Sequence, residues 1–407
     1  MPTDDTLRLL FPVVTPFVAV FGACVGSFLN VVVWRLPRGE SLWSPPSHCP
    51  KCGHAIRAWE NVPILSWLFL RGRCSQCGLP ISLQYPLVEL ATMLLFLAVW
   101  WRVSARLLHP AALVNGFYLA GAVLAASWID IRHRRIPDLI TWGGMITAVA
   151  AALLWPAARS LAAGGADPGV GDGFLVRLAA EHFLPAVAEW PRALALADVV
   201  LGAAVGAFFL LAVRQVGVVF WGYRDWRVRE PAAVTLTGRG VEIGAEYAAT
   251  WEELDARMAD RLLIWFDNAE VEWADDGPAE ARVEWPRGRV LAVAGDGQVR
   301  VGRRRLGLDG IRRIGGSSRH WAESREVLGL GDVKLAAMLG ALLGAEAMPF
   351  VLLLAGVAGA AWGVVRLGFA DGRRPGLPFG PFLGVGGLAW LFAGPELVGL
   401  YLHWLVP

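Results

Sequence analysis

Two aspartates stand where apolar runs meet polar ones, and carboxylates are groups that activate water for peptide hydrolysis. Asp130 closes one run in "SWIDIRHRRIPDLIT", and Asp332 opens another in "GLGDVKLAAMLGALLG". A charge at the edge of hydrocarbon is costly, which marks both positions as candidate functional sites. If the fold brings the two carboxylates together, one keeps a proton while the other acts as a base, and water attack on a peptide carbonyl requires such a pair.

Each aspartate taken alone also has a purely structural interpretation. Asp130 is close in sequence to Arg132 and Arg134 and could pair with either. Asp332 suits a helix N-cap, where the helix dipole favours a carboxylate. The pattern G-x-G-D is short and recurs at 169–172, a polar stretch with no apolar run behind it, so we discount that copy. Both interpretations stay open for either residue alone.

Four of the five cysteines have the spacing of a metal site. They form two C-x-x-C pairs separated by roughly 20 residues, a spacing by which two tight turns present four thiolates to one zinc ion. These are Cys49, Cys52, Cys74 and Cys77. His48 and His54 flank the first pair, but four cysteines already complete a closed, structural shell. Disulfides are the alternative, which a cytoplasmic location disfavours. Cys24 is expected to be a small buried residue of the first apolar run.

The composition predicts a mostly helical membrane protein with several spans. The 407 residues are 56% hydrophobic and include 20 tryptophans, and the mean hydropathy is +0.48. With about 20 apolar residues per crossing, we predict eight spans, of which the sixth is short: 11–34, 86–101, 110–128, 139–155, 194–220, 333–343, 348–367 and 379–405. Asp4 and Asp5 stand where a signal peptide would carry basic residues, so the first span is expected to be retained.

Short basic loops predict the orientation of these spans. With eight spans, the following arginines fall on one side, which should be cytoplasmic: Arg35, Arg38, Arg132, Arg134, Arg135, Arg373 and Arg374. The N-terminus is then outside, and Asp130 and Asp332 share the cytoplasmic boundary. The net charge of +2 gives no reason to expect a nucleic-acid partner.

The predicted fold is an all-α polytopic membrane protein with a small zinc-ribbon-like subdomain and an inserted soluble α+β domain. Its segments are the first span (1–34), the cytoplasmic zinc-ribbon-like segment (35–84), spans two to four with Asp130 (85–156), an external loop (157–193), span five (194–221), the insert (222–328), and spans six to eight with Asp332 (329–407). The insert holds half of the charged residues in a quarter of the length. In it, Thr250 and Glu253 predict a capped amphipathic helix over "TWEELDARMADRLLIWF", and Asp296-Gly297 predicts a hairpin.

A series of motifs in order resembles the bacterial type IV prepilin peptidases, a family of membrane aspartic proteases. The motifs are "CVGSFLNVVVWRLPRGESL", the paired C-x-x-C turns, "QYPLVELAT", "DIRHRRIPDLIT", "GLGDVKLAAMLGALLG" and "LPFGPFLG". The resemblance implies an enzyme of the bacterial inner membrane that removes the basic leader of a type IV prepilin or type II secretion pseudopilin at the cytoplasmic face. It also implies N-methylation of the new N-terminus with S-adenosylmethionine.

The resemblance assigns roles residue by residue. Asp130 and Asp332 match the catalytic aspartates, and Gly329 and Gly331 match the glycines that let backbone approach the substrate. Two further residues accompany them. Asp138 is expected to start a helix or contact substrate, and Lys334 to reach the interface or tune the site. No residue is assigned to S-adenosylmethionine, because no glycine-rich fingerprint follows a predicted strand.

The insert and the long external loop depart from the compact family pattern. The insert adjoins the G-x-G-D motif, so it could gate access to the site, recognise an unknown partner or be tolerated without a role, and a partner or regulatory role is slightly favoured. Three other functions remain open. The chain could be a non-catalytic zinc-ribbon scaffold of a pilus or secretion assembly, or a transporter, although few polar residues lie at mid-span. It could also be a peptidase with another membrane-protein substrate.

Overall fold

The chain forms two compact units, Met1–Leu211 with Leu330–Pro407, and Ala212–Gly329. The computed structural model describes residues 4–104, 110–156, 190–221, 223–237, 239–245, 247–250, 262–273, 290–294, 298–301, 304–307, 311–324, 328–367 and 378–405. Most of the predicted external loop, 157–189, therefore lies outside the described residues.

In the part of the chain that the structure describes there are nine α-helices, which make up most of the first unit and the start of the second. They are α1 (Asp4–Arg35), α2 (Leu65–Phe69), α3 (Gln84–Ser104), α4 (Pro110–His133), α5 (Asp138–Leu154), α6 (Pro191–Trp221), α7 (Leu330–Leu343), α8 (Ala347–Leu367) and α9 (Gly380–Leu405). Two 3-10 turns, Leu36–Arg38 and Ala58–Asn61, lie between α1 and α2. The prediction of a mostly helical protein is confirmed.

Among the described residues, five helical stretches are long and apolar enough to cross a bilayer, the first of which runs from α1 through the following 3-10 turn: Phe11–Arg38, Gln84–Val103, Ala112–His133, Pro191–Phe220 and Ala347–Val365. Shorter apolar stretches are Asp138–Leu154 in α5 and Gly380–Gly394 in α9. The 14 residues of α7 are fewer than a full crossing requires. The helices are those of a multi-pass membrane protein.

The short helix α7 is buried on every side. Val333 and all residues from Leu335 to Leu343 are buried, as expected of a helix that is apolar all round. Small residues let its backbone approach that of α6, since a Cβ on Gly340 would overlap the carbonyl of Gly202. Such glycine contacts are the usual means of close helix packing in a bilayer.

The expectation for Cys24 is wrong, because this residue lies on the exposed side of α1. The side of α1 that packs against α3 is instead formed by glycines two residues away. A Cβ on Gly22 would lie 2.9 Å from the Cα of Met93, and a Cβ on Gly26 would lie 2.6 Å from the Cα of Glu89. Exposure of a thiol on a span is compatible with lipid, since the group is weakly polar.

The described residues of the second unit form an antiparallel sheet of eight strands in the order β3-β2-β1-β8-β4-β5-β6-β7. The strands are β1 (Tyr223–Thr237), β2 (Gly240–Ile243), β3 (Tyr247–Thr250), β4 (Leu262–Trp273), β5 (Val290–Ala294), β6 (Gln298–Val301), β7 (Arg304–Gly307) and β8 (Ile311–Ser324). The β1, β8 and β4 strands are the longest and lie at its centre.

In the insert, the described residues between Tyr223 and Ser324 form strands and turns, as the β part of the α+β prediction requires, and the helical part stays a prediction. The expected helix from Thr250 fails at its C-terminal end, because Leu262 begins β4, while 251–261 lies outside the described residues. Isoleucine, tryptophan and phenylalanine in "LLIWF" favour strands. The predicted hairpin is confirmed, since Ala294 of β5 pairs with Gln298 of β6.

Candidate functional site

The carboxylate of Asp130 is held at the start of another helix. Asp130 lies in the last turn of α4 and is 6% exposed. The backbone N–H of Gly380, the first residue of α9, donates to Asp130 Oδ2 at 3.0 Å. Since a helix N-terminus has unpaired N–H groups and a favourable dipole, this contact places the carboxylate where a negative charge is stabilised.

There is little room for a side chain at position 380. A Cβ built on it would lie 2.9 Å from Asp130 Oδ2 and 3.1 Å from Ile136 Cδ1. The motif "LPFGPFLG" contains this glycine, but 250 residues separate it from Asp130. Sequence reasoning therefore missed the contact, although it had singled out the motif.

Ile136 connects Asp130 with the G-x-G-D motif. It lies between α4 and α5 and is 7% exposed. Its Cβ and backbone N are 3.2 and 3.3 Å from where a Cβ of Gly331 would be. Asp332 follows Gly331 directly, in the first turn of α7. Gly331, which precedes Asp332, and Gly380, which binds Asp130, therefore both lie against the same isoleucine.

Two accompanying residues of the predicted site form an ion pair. Lys334 Nζ donates to Asp138 Oδ1 at 2.6 Å. Asp138 is the first residue of α5, as one of its two expected roles required. Lys334 lies in α7 two residues after Asp332, so the pair joins the beginnings of α5 and α7. Gly329 precedes α7 and is partly buried.

The end of α4 is fixed by an unusual backbone conformation. Arg134 has φ +54, and its N–H donates to the carbonyl of Asp130 at 2.9 Å. A residue in the left-handed region commonly ends a helix, but glycine or asparagine is usual there. Arg132 has other partners than the end of α4. Its guanidinium donates to Gln84 Oε1 at 2.5 Å and lies over the Trp128 ring.

The four predicted zinc ligands meet in one cluster. The Sγ atoms of the C-x-x-C cysteines all lie within 4.8 Å of one another, and those of Cys49 and Cys77 are 3.7 Å apart. Four thiolates at about 2.3 Å from a tetrahedral zinc ion are themselves about 3.8 Å apart, so the arrangement fits this ion. All four cysteines are free thiols. Amide groups of Cys52 and Lys51 donate to Cys49 and lower the pKa of its thiol, whereas the pKa of the neighbouring Cys52 thiol is raised.

The two C-x-x-C turns have the same backbone design. In the first, the N–H of Gly53 donates to the carbonyl of Cys49 at 2.9 Å; in the second, the N–H of Gly78 donates to that of Cys74 at 3.0 Å. Both glycines are left-handed, with φ +70 and +69, a conformation that glycine adopts at low cost. Each turn therefore aims its thiols at the same point.

A carboxylate that the sequence did not connect with the cysteines joins their two turns. Glu60 Oε2 accepts hydrogen bonds from His54 Nε2 at 3.0 Å and from the N–H of Arg57 at 2.9 Å. A hydrogen bond from Ser75, then those from Arg57 and His54, lower the pKa of Glu60 to about 2. His54 follows the first C-x-x-C pair and Ser75 lies within the second, so Glu60 links the two turns. The Nε2 atom of His54 is used to bind Glu60.

Two family models match separate parts of the chain. The one described as Bacterial Peptidase A24 N-terminal domain matches residues 20–103, which contain all four clustered cysteines. The one described as Type IV leader peptidase family matches residues 320–364, which contain Asp332. Asp130 lies outside both matches, so its assignment depends on its motif and geometry. No solved structure matches the chain.

Two relatives with related names each match part of the chain. A Prepilin leader peptidase/N-methyltransferase of Myxococcus xanthus is 45% identical over 141 residues, 35% of this chain and 41% of that protein. A Type 4 prepilin-like proteins leader peptide-processing enzyme of Escherichia coli is 38% identical over 222 residues, 49% of this chain and 78% of that protein.

A third relative matches almost the whole chain. A Prepilin leader peptidase/N-methyltransferase of Burkholderia pseudomallei is 30% identical over 406 residues, which are 93% of this chain and 85% of that protein. A match of this extent runs through the inserted unit as well as the helical one. The chain belongs to the type IV leader peptidase family.

Proposed function

We propose that this protein is a membrane aspartic endopeptidase that removes the basic leader from type IV prepilins or type II secretion pseudopilins. The observation that carries the proposal is that Gly380, which binds Asp130, and Gly331, which precedes Asp332, both lie against Ile136. Family membership supports the same activity, because the relatives above are named for leader removal.

The two aspartates divide the chemistry of hydrolysis. One carboxylate takes a proton from water as its oxygen attacks the scissile carbonyl, and the other, protonated, donates to the developing oxyanion. The tetrahedral intermediate then collapses, the C–N bond breaks, and the leaving nitrogen takes a proton from the pair. Gly380 holds Asp130 through one oxygen and leaves the other for water.

The substrate explains why such a pair lies at a membrane boundary. A prepilin has a cationic leader joined to an apolar helix, so its scissile bond lies at the interface. We place the active site on the cytoplasmic side of the inner membrane, with the N-terminus outside and eight membrane segments, of which α7 is shorter than a full crossing. The basic residues of the loops support this orientation.

The cysteine cluster is proposed to hold a structural zinc ion. Its ligands would be Cys49, Cys52, Cys74 and Cys77, and four thiolates leave no position for a reactive water. The ion would fix the two turns as one rigid subdomain. This role supplies folding energy and no step of the peptide cleavage.

N-methylation of the new N-terminus is the second proposed activity, with S-adenosylmethionine as the donor. The names of the relatives support it. In the part of the chain that the structure describes, no strand leads through a glycine-rich turn into a helix, and no residue is assigned to this cofactor.

Cleavage of a purified prepilin by membranes that carry this protein tests the proposal. Wild type should remove the leader, and Asp130→Asn and Asp332→Asn should each abolish removal while retaining the fold. Glu40→Gln, a change at an exposed carboxylate between α1 and α2, is the matched control and should cleave normally. Mass spectrometry of the product reports both the new N-terminus and an added methyl group.

Cleavage retained in either aspartate variant would remove that residue from the mechanism. Failure of the wild type on several prepilins, with folded protein present, would favour the non-catalytic scaffold, in which the same aspartates only cap helices.

A further inference from the structure

The segment between α1 and α3 exposes large apolar side chains although it is not itself a span. Trp43 is 84% exposed and Phe69 is 82% exposed. Leu65 and Leu68 of α2 are also exposed. Large exposed apolar surfaces usually bind another protein or the membrane. The position of these side chains relative to α1 and α3 distinguishes the two.

Trp43 lies beside the membrane-spanning part of α1. Its ring stacks on that of Phe28, with centroids 6.0 Å apart. Phe28 precedes Arg35, the last residue of α1, by seven positions, which is about 10 Å along a helix. Side chains on a helix also lean toward its N-terminus, here away from the predicted cytoplasmic side. Trp43 therefore folds back along a stretch that the bilayer surrounds.

Arg35 holds this returning loop in place. The guanidinium donates to the carbonyl of Ser41 at 3.0 Å and to that of Pro45 at 2.6 Å. Arg35 is 9% exposed, so its charge is used to bind backbone on both sides of Trp43. The loop that carries Trp43 is therefore held in a defined conformation by Arg35.

The second apolar element, 62–69, begins at a similar depth. The N–H of Ile64 donates to Glu89 Oε2 at 2.7 Å. The stretch Gln84–Val103 has 20 residues, and at 1.5 Å per residue it is about one hydrocarbon thickness long. Glu89 comes five residues after its start, about 7 to 8 Å inside it.

The residue that precedes α2, Ile64, has a strained backbone conformation. Ile64 has φ +62 and ψ −52, an outlier for a β-branched residue. Such strain persists only where the surroundings enforce it, and here Glu89 does so. Two polar side chains of the element are hydrogen-bonded within the cysteine segment, because Ser66 Oγ donates to the carbonyl of Val62 and Trp67 Nε1 to that of Ile81.

Charge along the segment matches an anionic lipid surface. Between Arg35 and Gln84 there are six arginine or lysine residues and two glutamates, and no charged residue falls within 61–70. Arg71 and Arg73 follow α2 directly, and Arg57 lies over the ring of Trp59. Apolar side chains bordered by arginine are typical of elements that lie in the bilayer interface.

We infer that the tetracysteine segment is seated in the cytoplasmic leaflet, with Trp43 and α2 inserted beside α1 and α3 and its arginines on anionic headgroups. Trp43 meets the exposed side of α1 at Phe28, and α3 exposes Leu87 and Leu90 on either side of Glu89, which binds Ile64. The inference requires that α1 and α3 span the bilayer and does not depend on peptidase activity. It places the cysteine cluster at the level of a prepilin's membrane boundary.

Photolabelling by lipid tests this seating on the unmodified full-length protein. The protein is reconstituted in nanodiscs of phosphatidylcholine and phosphatidylglycerol that carry a diazirine on an upper acyl carbon, and labelled peptides are mapped by mass spectrometry. Residues 41–45 and 62–69 should carry roughly tenfold more label than 47–55, the solvated first cysteine turn. A diazirine at mid-chain should instead favour Val20 and Phe21 of α1.

Two results would overturn the inference. One is label on Val20 and Phe21 with none above the level of 47–55 on either apolar element. The other is crosslinking of Trp43 and α2 to a prepilin or to a second copy of this chain in place of lipid. As a second readout, Phe69→Gln should lower lipid label on 62–69 severalfold and leave label on 41–45 unchanged, because the two elements insert separately.

Discussion

The backbone amide of Gly380 donates to the carboxylate of Asp130 at 3.0 Å, across a sequence separation of 250 residues. This hydrogen bond joins the end of α4 to the start of α9 and fixes one oxygen of the carboxylate. Because a candidate catalytic group must be held within a fraction of an ångström of its working position, Gly380 is a positioning residue for Asp130 in the proposed reaction.

Gly380→Ala should impair cleavage without unfolding the protein. Gly380 has no positive φ, so alanine fits the backbone, but its Cβ would lie 2.9 Å from Asp130 Oδ2. A displacement approaching 1 Å lowers a catalytic rate by about a hundredfold. Gly363→Ala in α8 is the matched control, because a Cβ there meets nothing within 4 Å. Prepilin cleavage rates measure the effect, and equal rates in both variants would remove the positioning role.

Zinc should copurify at about one ion per chain, as a closed four-cysteine site requires. Chelation or Cys52→Ser should release it and loosen 47–81, which faster amide exchange in this segment would report. The α7 region should keep its protection, because the cysteine cluster and α7 share no ligand. A metal content far below one ion per chain, measured by elemental analysis, would contradict the zinc assignment.

Glu60→Gln should destabilise the cysteine segment in a pH-dependent way. The pKa of Glu60 is lowered to about 2 by Ser75, Arg57 and His54, so its ionised form stabilises the fold above the ordinary carboxyl pKa. That contribution should be complete above about pH 5 and disappear as pH falls toward 2. The stability difference between wild type and variant should shrink accordingly. Glu40→Gln is the control, and a difference that stays constant with pH would exclude the charge as its cause.

Lys334 and Asp138 should contribute little to stability despite their position. They approach to 2.6 Å, but their side chains are 39% and 60% exposed, and exposed pairs are worth about 0.2 to 1 kcal/mol. A double-mutant cycle with Lys334→Met and Asp138→Asn should give a coupling in that range. A much larger coupling would show that the pair is desolvated in the bilayer. Cleavage by the same variants reports separately whether the pair positions α7.

Sequence could predict the chemistry and the helices better than the contacts that position them. The cysteine spacing predicted a cluster because the pairs are local turns that close on themselves. The sequence did not predict the contacts of Gly380, Ile136 and Glu60, because tertiary packing determines their partners. The C-terminal end of the helix expected from Thr250 was misjudged for a related reason. A capping pattern at Thr250 predicts a helix, but Leu262 and its neighbours are β-branched, aromatic or aliphatic residues that pair with β8.

Gly340→Ala should be among the most damaging alanine substitutions in the helical unit. Its Cβ would overlap the backbone carbonyl of Gly202, and backbone atoms of two packed helices cannot move aside as a side chain can. Overpacking of this kind typically costs about 1 to 3 kcal/mol, so the yield and thermal midpoint of folded protein should both fall. Gly356→Ala in α8 meets nothing within 4 Å and should leave both unchanged. Equal midpoints for the two variants would mean that α6 and α7 do not approach through their backbones, and the burial of α7 beside Asp332 would then need another explanation.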